Sequence, residues 1–232
     1  MERIVIIGPP GAGKTTLAKK MGSLLKIKVI HLDRIFWKRG WQAVARDERM
    51  DSLQKLVSEK RWIMEGTYID LSQPRLDAAD TIIFLDIHPA ICLWRIVKRH
   101  WAERGRFRRD IPLECADKIT LLRIWWVLFF PFREDRRLKK NLREISPEKI
   151  IPLNSTKKVK AFLAQPEQYI YEKRQSAKIP SVLGQELQHF SFPFPLLNNR
   201  CTRQIQHFFQ RRSASLYIKA QEAEASSVSP II

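Results

Sequence analysis

Eight consecutive residues, Gly8-Pro-Pro-Gly-Ala-Gly-Lys14-Thr15, satisfy the pattern G-x-x-x-x-G-K-[ST]. Each residue type has a reason to be there if the loop holds a polyphosphate. Gly8, Gly11 and Gly13 lack Cβ, so the backbone on either side of Ala12 can take positive φ and turn its N–H groups inward onto phosphate oxygens. Lys14 supplies a point charge within reach of the β- and γ-phosphates, the Thr15 hydroxyl can ligate Mg2+, and Thr16 can touch the α-phosphate. The chemistry such a loop serves is the binding of ATP with Mg2+. A glycine-rich turn with an exposed lysine is the plain alternative, but the pattern arises by chance in a chain this long only about once in a hundred.

A metal beside Thr15 needs a carboxylate acting through water, and three acids end apolar runs: Asp33, Glu65 and Asp86. Ile-Ile-Phe-Leu-Asp86 fits the usual four apolar residues plus Asp. Chain order argues otherwise, because the third strand of a doubly wound sheet of this kind usually flanks the first. Glu65, or Asp33, is therefore expected near the metal. Glu65 is followed by Gly66, which permits close substrate approach, and Asp33 could instead accept the proton of an acceptor hydroxyl. For each acid alone, a solvated strand-end carboxylate is the competing reading.

Arg95-Ile-Val-Lys-Arg99 puts two guanidinium groups at i and i+4, on one face of a helix. Arg104, Arg106, Arg108 and Arg109 follow. Arginine binds phosphate bidentately, and a lid carrying it can stabilise the dispersed charge of a moving phosphoryl group while excluding water. The same stretch interleaves basic residues with Trp94, Trp101, Phe107, Trp125 and Trp126, a composition that also suits nucleic acid. The apolar spacing of Trp125, Trp126, Phe129 and Phe130 fits core packing better.

The elements that must position these residues alternate along the chain. Strands are expected at Arg3–Ile7, Val29–Asp33, Trp62–Gly66, Thr81–Asp86 and Lys149–Leu153, the first a short β-branched run typical of a strand buried on both faces. Helical spacing marks 15–25, 47–60, 89–99, 118–130, 134–145 and 157–163. Such alternation implies parallel βαβ units, a five-stranded parallel sheet between two helical layers in the α/β class. The domain is expected to span 1–164, with a lid near 100–118. Beyond Gln165 the periodicity fades through Ser191-Phe-Pro-Phe-Pro195 into a Ser-rich end. The reading there is a poorly ordered extension, 165–232, save for a helix near Arg203 to Gln210.

Composition sets limits consistent with this. The chain has 232 residues, a mean hydropathy of −0.30 and a net charge of +18, so something anionic should be attracted. The surplus is concentrated, since residues 94–143 hold 15 basic against 6 acidic side chains. Three scattered cysteines offer neither a disulfide framework nor a zinc site. Only four apolar residues separate Arg3 from Gly8, too few for a signal peptide, and the apolar block from Ile124 to Phe132 is too short to cross a bilayer. A cytoplasmic protein without a membrane span is expected; its oligomeric state is not legible.

Together, Gly8 to Thr15, His31-Leu-Asp33 with Trp37, Trp62-Ile-Met-Glu65-Gly66-Thr67-Tyr68, Ala79 to Asp86, and Gly105 to Pro112 through Cys115 resemble the DNA topology modulation proteins related to FlaR. These are adenylate-kinase-like P-loop NTPases, and the resemblance covers about residues 1–164. It implies that Arg95 packs on the adenine and Arg99 contacts phosphate. True adenylate kinases end the third strand in Asp-Gly-x-Pro-Arg where this chain has Glu65-Gly66-Thr67-Tyr68, which leaves the acceptor open. The expected function is ATP-Mg2+ binding with phosphoryl transfer to a small nucleotide-like or hydroxyl acceptor, Lys14, Arg99, Asp33 and Glu65 carrying the chemistry. A nucleotide-dependent DNA-binding, topology-modulating regulator with little kinase activity is the alternative.

Overall fold

A computed structural model describes residues 1–102 and 121–177. Five strands form one sheet: β1 (Arg3–Ile7), β2 (Val29–His31), β3 (Trp62–Glu65), β4 (Thr81–Leu85) and β5 (Ile150–Leu153). All pairs are parallel and the order is β2-β3-β1-β4-β5. β1 lies at the centre because its Ile4, Val5, Ile6 and Ile7 are each fully buried and can face apolar layers on both sides.

Those layers are helical. Ile4, Ile6, Ile83 and Leu85 point into a core shared with α1 (Lys14–Leu25), α5 (Pro89–Ala102), α7 (Thr156–Ala164) and α8 (Pro166–Ala177). The alternate residues Val5, Ile7, Ile82 and Phe84 pack on the other face with α2 (Leu32–Phe36), α3 (Arg46–Val57) and α4 (Gln73–Ala78). α6 (Leu121–Arg143) serves both cores, Val127 in the first and Leu138 and Leu142 in the second. The result is the expected three-layer α/β architecture, a five-stranded parallel sheet between two helical layers.

Several expectations need correction. The second strand stops at His31, and Asp33 lies in the short α2 rather than at a strand end. The two helices expected at 118–130 and 134–145 are one, which runs through Pro131. A proline inside a helix removes one hydrogen bond and crowds the preceding turn, but Val127 and Phe130 on one side and Leu138 and Leu142 on the other are buried and hold both halves. The extension was expected to begin at 165, yet Pro166–Ala177 is helical: Ile170 is buried and Tyr169 packs edge-on against Phe162, 5.6 Å between ring centroids. A single buried side chain per three turns leaves little periodicity to read. Arg104, Arg106, Arg108, Arg109, most of the expected 100–118 lid, and the helix expected near 203–210 lie outside the described residues.

Candidate functional site

The carboxyl ends of β1, β3 and β2 stand side by side, and the loops that leave them meet. The loop after β1 takes its course from three left-handed glycines, Gly8 (φ 145°), Gly11 (80°) and Gly13 (99°). At two of them the absence of Cβ is obligatory. A Cβ on Gly8 would lie 2.4 Å from the Leu85 carbonyl oxygen of β4, and one on Gly11 the same distance from the Cys92 carbonyl oxygen of α5. The loop is thus pressed against β4 and α5, and no acid stands in the first turn of α1, whose N-cap Gly13 offers no side-chain partner. An anion suits that helix start.

Lys14 folds back over the loop and donates from Nζ to the carbonyls of Gly8 (2.8 Å) and Pro9 (2.9 Å). Burial pushes its pKa down, Glu65 and Asp33 push it back up, and Arg99 adds to the lowering. Polyphosphate would relieve that desolvation. Thr15 donates from its hydroxyl to Glu65 Oε1 at 3.1 Å, and His31 Nδ1 stands 2.8 Å from the same oxygen. Glu65 is only 4% exposed. Thr16 is exposed on α1.

Arg95 closes the other flank: Nη1 donates to the Ala12 carbonyl at 2.9 Å and Nη2 to Thr156 Oγ1 at 2.8 Å, so α5 is tied both to the phosphate loop and to the start of α7. Arg99, one turn further along α5, is near enough to Lys14 to affect its charge. Asp86 sits on the far side of β1 from β3, 3.7 Å from Lys139 of α6.

On the β2 side, Asp33 Oδ1 accepts a short hydrogen bond from Tyr68, whose hydroxyl in turn accepts from Trp37 Nε1 at 2.8 Å. Burial, then the Asp33 charge, raises the Tyr68 pKa, which keeps the phenol protonated and donating. Phe36 meets the Tyr68 ring edge-on, 4.8 Å between centroids. Thr67, just before it, donates to the Gly8 carbonyl at 2.6 Å. The loop after β3 therefore touches both the phosphate loop and Asp33.

Glu65, Asp33, Lys14, Thr15, Arg95 and Arg99 converge on the three strand ends, whereas Asp86 turns to α6. The sequence reading gave no role to His31, Thr67, Tyr68 or Thr156. The Glu65-Gly66-Thr67-Tyr68 run was the available signal, since a glycine after a strand-end acid followed by two hydroxyl residues places donors beside a substrate loop. The aromatics named with the basic segment divide: Phe130 is core, while Trp94 and Trp101 are 60% and 69% exposed.

The donor set fits Mg2+ with ATP: a hydroxyl and a carboxylate are hard oxygen ligands, and amides plus one lysine await phosphate. Among the described residues no cluster of three His, Cys, Asp or Glu could hold a metal without such a ligand, and no helix is long and apolar enough to cross a membrane.

An AAA domain family model matches residues 4–112. A Pyrococcus furiosus protein named "Putative adenylate kinase" is 30% identical over 121 residues, 51% of this chain and 66% of that protein. A Methanocaldococcus jannaschii protein of the same name is 36% identical over 127 residues, 50% of this chain and 68% of the relative. The chain thus spans about two thirds of the length of these curated relatives. Among solved structures, shikimate kinase from Acinetobacter baumannii in complex with shikimate aligns with a TM-score of 0.49 and 16% identity, over 74% of this chain and 94% of that one. On the Methanocaldococcus match, with the phosphate loop and sheet order described above, the chain belongs to the adenylate-kinase-like P-loop NTPases.

Proposed function

We propose that this protein is a phosphotransferase that moves the γ-phosphoryl group of ATP to a hydroxyl or phosphate oxygen of a small acceptor. The observation that carries the reading is the Thr15 hydroxyl 3.1 Å from Glu65 Oε1, beside a loop whose glycines are pressed against β4 and α5. Thr15 and Glu65 would hold a Mg2+ ion brought with the nucleotide, which would supply positive charge against the negative charge that develops on transfer.

The chain's own residues do the rest. The amides of Gly11, Gly13, Lys14 and Thr15 hold the phosphates, since Pro9 and Pro10 have no N–H and Ala12 donates to the Pro9 carbonyl, and Lys14 exchanges the Gly8 and Pro9 carbonyls for phosphate oxygens. Arg95 and Arg99 bound the nucleotide on the α5 side, as the family resemblance implies, with Arg104, Arg106 and Arg109 as lid residues. Thr15 and Glu65 hold the cation, Glu65 through water. Asp33, held by Tyr68 and within electrostatic reach of Lys14, takes the proton of an acceptor hydroxyl. The acceptor enters between α2 and the loop after β3, where Glu65-Gly66-Thr67-Tyr68 replaces the run found in true adenylate kinases, so a hydroxyl compound suits this side better than AMP.

The test is an acceptor screen with γ-labelled ATP and Mg2+ over nucleosides, nucleotides and small alcohols. Label transferred to one class and lost in Asp33→Asn supports the reading. Release of inorganic phosphate at the same rate with every compound rejects it in favour of a hydrolase.

A further inference from the structure

Arg75 of α4 is fully buried, and among the described residues no carboxylate pairs with it. Its partners are backbone carbonyls: Nη1 donates to Gly66, and Nη2 to Thr67 and, at 3.5 Å, to Tyr68. Nε has no hydrogen-bond partner. Burial draws its pKa down to about 10, so the guanidinium is still charged at neutral pH. Asp70 and Glu65 stabilise its charge only from a distance; taking such a group out of water without a directly paired carboxylate is costly, and an apolar side chain of like volume could fill the space without that cost. A geometric need explains its presence better than a packing need.

The need is visible in what the three carbonyls belong to. Gly66 and Tyr68 both hold positive φ (135° and 24°), an arrangement rarely adopted by a tyrosine. It turns consecutive carbonyls inward onto one cation and sends the side chains outward, Thr67 to the Gly8 carbonyl and Tyr68 to Asp33. A planar fork with several fixed donors can hold adjacent carbonyls at once, where an ammonium is a point charge.

Resting on the phosphotransferase reading, we infer that Arg75 is a positioning residue: its guanidinium clamps the Gly66–Tyr68 carbonyls and thereby sets the Tyr68 hydroxyl on Asp33 and the Thr67 hydroxyl on the phosphate loop. It touches no reacting atom and acts through the loop.

The test uses the full chain labelled with 15N. The Trp37 indole proton, which donates to Tyr68, reports on the loop; Trp37→Phe assigns its resonance, and the indole of Trp62, buried and without a hydrogen-bond partner, is the reference. In Arg75→Lys the Trp37 resonance should move toward its position in Tyr68→Phe and its exchange with water quicken about tenfold or more, with Arg75→Met further displaced and Trp62 unmoved. A folded Arg75→Lys chain with an unmoved Trp37 signal overturns the clamp. If neither variant folds, the wild-type chain decides: separate, slowly exchanging Nη signals for Arg75 are expected, and averaged, fast-exchanging ones overturn it. No acceptor is needed, so failure here leaves the phosphotransferase reading intact, and a failed acceptor screen leaves the clamp intact.

Discussion

Adding one methyl group to Gly11 tests the phosphate loop at its tightest point. Gly11 stands at φ 80°, and a Cβ there would lie 2.4 Å from the Cys92 carbonyl oxygen and 2.9 Å from its carbon, both backbone atoms of α5 that cannot swing aside. The left-handed conformation costs an alanine about 1–2 kcal/mol. Forcing an atom into a filled space costs about 1–3 kcal/mol more. The chain can avoid this only by moving the loop off α5, which takes the amides out of their inward arrangement, so the sum, about 2–5 kcal/mol, is expected as lost ATP affinity. At 1.4 kcal/mol per tenfold that is roughly 30- to 3,000-fold, within range of calorimetric titration with Mg-ATP. Gly40 provides the comparison: it too is left-handed (φ 67°), but nothing lies within 4 Å of its Cβ position. Gly40→Ala should incur the conformational cost alone, as a loss of about 1–2 kcal/mol in urea unfolding, with ATP affinity unchanged. Equal ATP affinity for Gly11→Ala and wild type would refute the reasoning, because the loop would then be shown to bind nucleotide without the close approach to α5.

Other expectations follow from single contacts. Glu65→Gln keeps an acceptor for Thr15 but removes the charge, so nucleotide affinity should lose most of its dependence on Mg2+ while affinity for ATP in EDTA changes little, both read by titration. Asp33→Asn should slow phosphoryl transfer by about 100- to 10,000-fold, the range for a lost general base, with ATP binding retained; an unchanged rate would remove Asp33 from proton transfer. Asp80 accepts from the amides of Glu2 (2.7 Å) and Arg3 (2.9 Å) and from the Thr81 hydroxyl. Burial alone would raise its pKa, but these donors hold it below 3.8. A depressed carboxyl stabilises the fold above its unfolded value and loses that contribution as pH falls through its folded value. Asp80→Ala should therefore cost about 1–3 kcal/mol at pH 7, a difference that shrinks in urea titrations below pH 3.8. Duplex DNA drawn only by the +18 charge should dissociate by about 200 mM salt in anisotropy titrations; tight binding at that salt would favour the regulator reading.

The parts of the fold that could be read in the sequence are those fixed by local pattern. Arg3–Ile7, Trp62–Glu65 and Thr81–Leu85 are short apolar runs closed by glycine or acid, and α1 shows its buried Leu17, Ala18 and Met21 at helical spacing. What failed was where local signals conflict with tertiary packing. Pro131 looked like a break and is not one, because buried residues on both sides of it pack against different cores. α4 is six residues long, too short for a periodic pattern, and Arg75 belongs to no motif, so the sequence assigns it no role. Its role depends on carbonyls seven to nine residues earlier turning toward it, which is information that spacing does not carry.

Topology bears on the choice between Glu65 and Asp86, which pattern leaves open. Both end buried apolar strands, and Asp86 has the commoner run before it. In the order β2-β3-β1-β4-β5, however, β3 is the one strand between the phosphate loop of β1 and the Asp33 segment after β2. Whatever ends β3 must stand between the phosphate loop and the Asp33 segment, and whatever follows it must span them. Glu65 does the first, beside Thr15, and Gly66-Thr67-Tyr68 does the second, one hydroxyl on Gly8 and the next on Asp33. A residue at the end of β4 has the phosphate loop between itself and Asp33, and its carboxylate goes instead to Lys139. The same order explains why a clamp on the β3 loop would be felt on both sides: moving three carbonyls away from Arg75 shifts the Thr67 contact to the phosphate loop and the Tyr68 contact to Asp33 together.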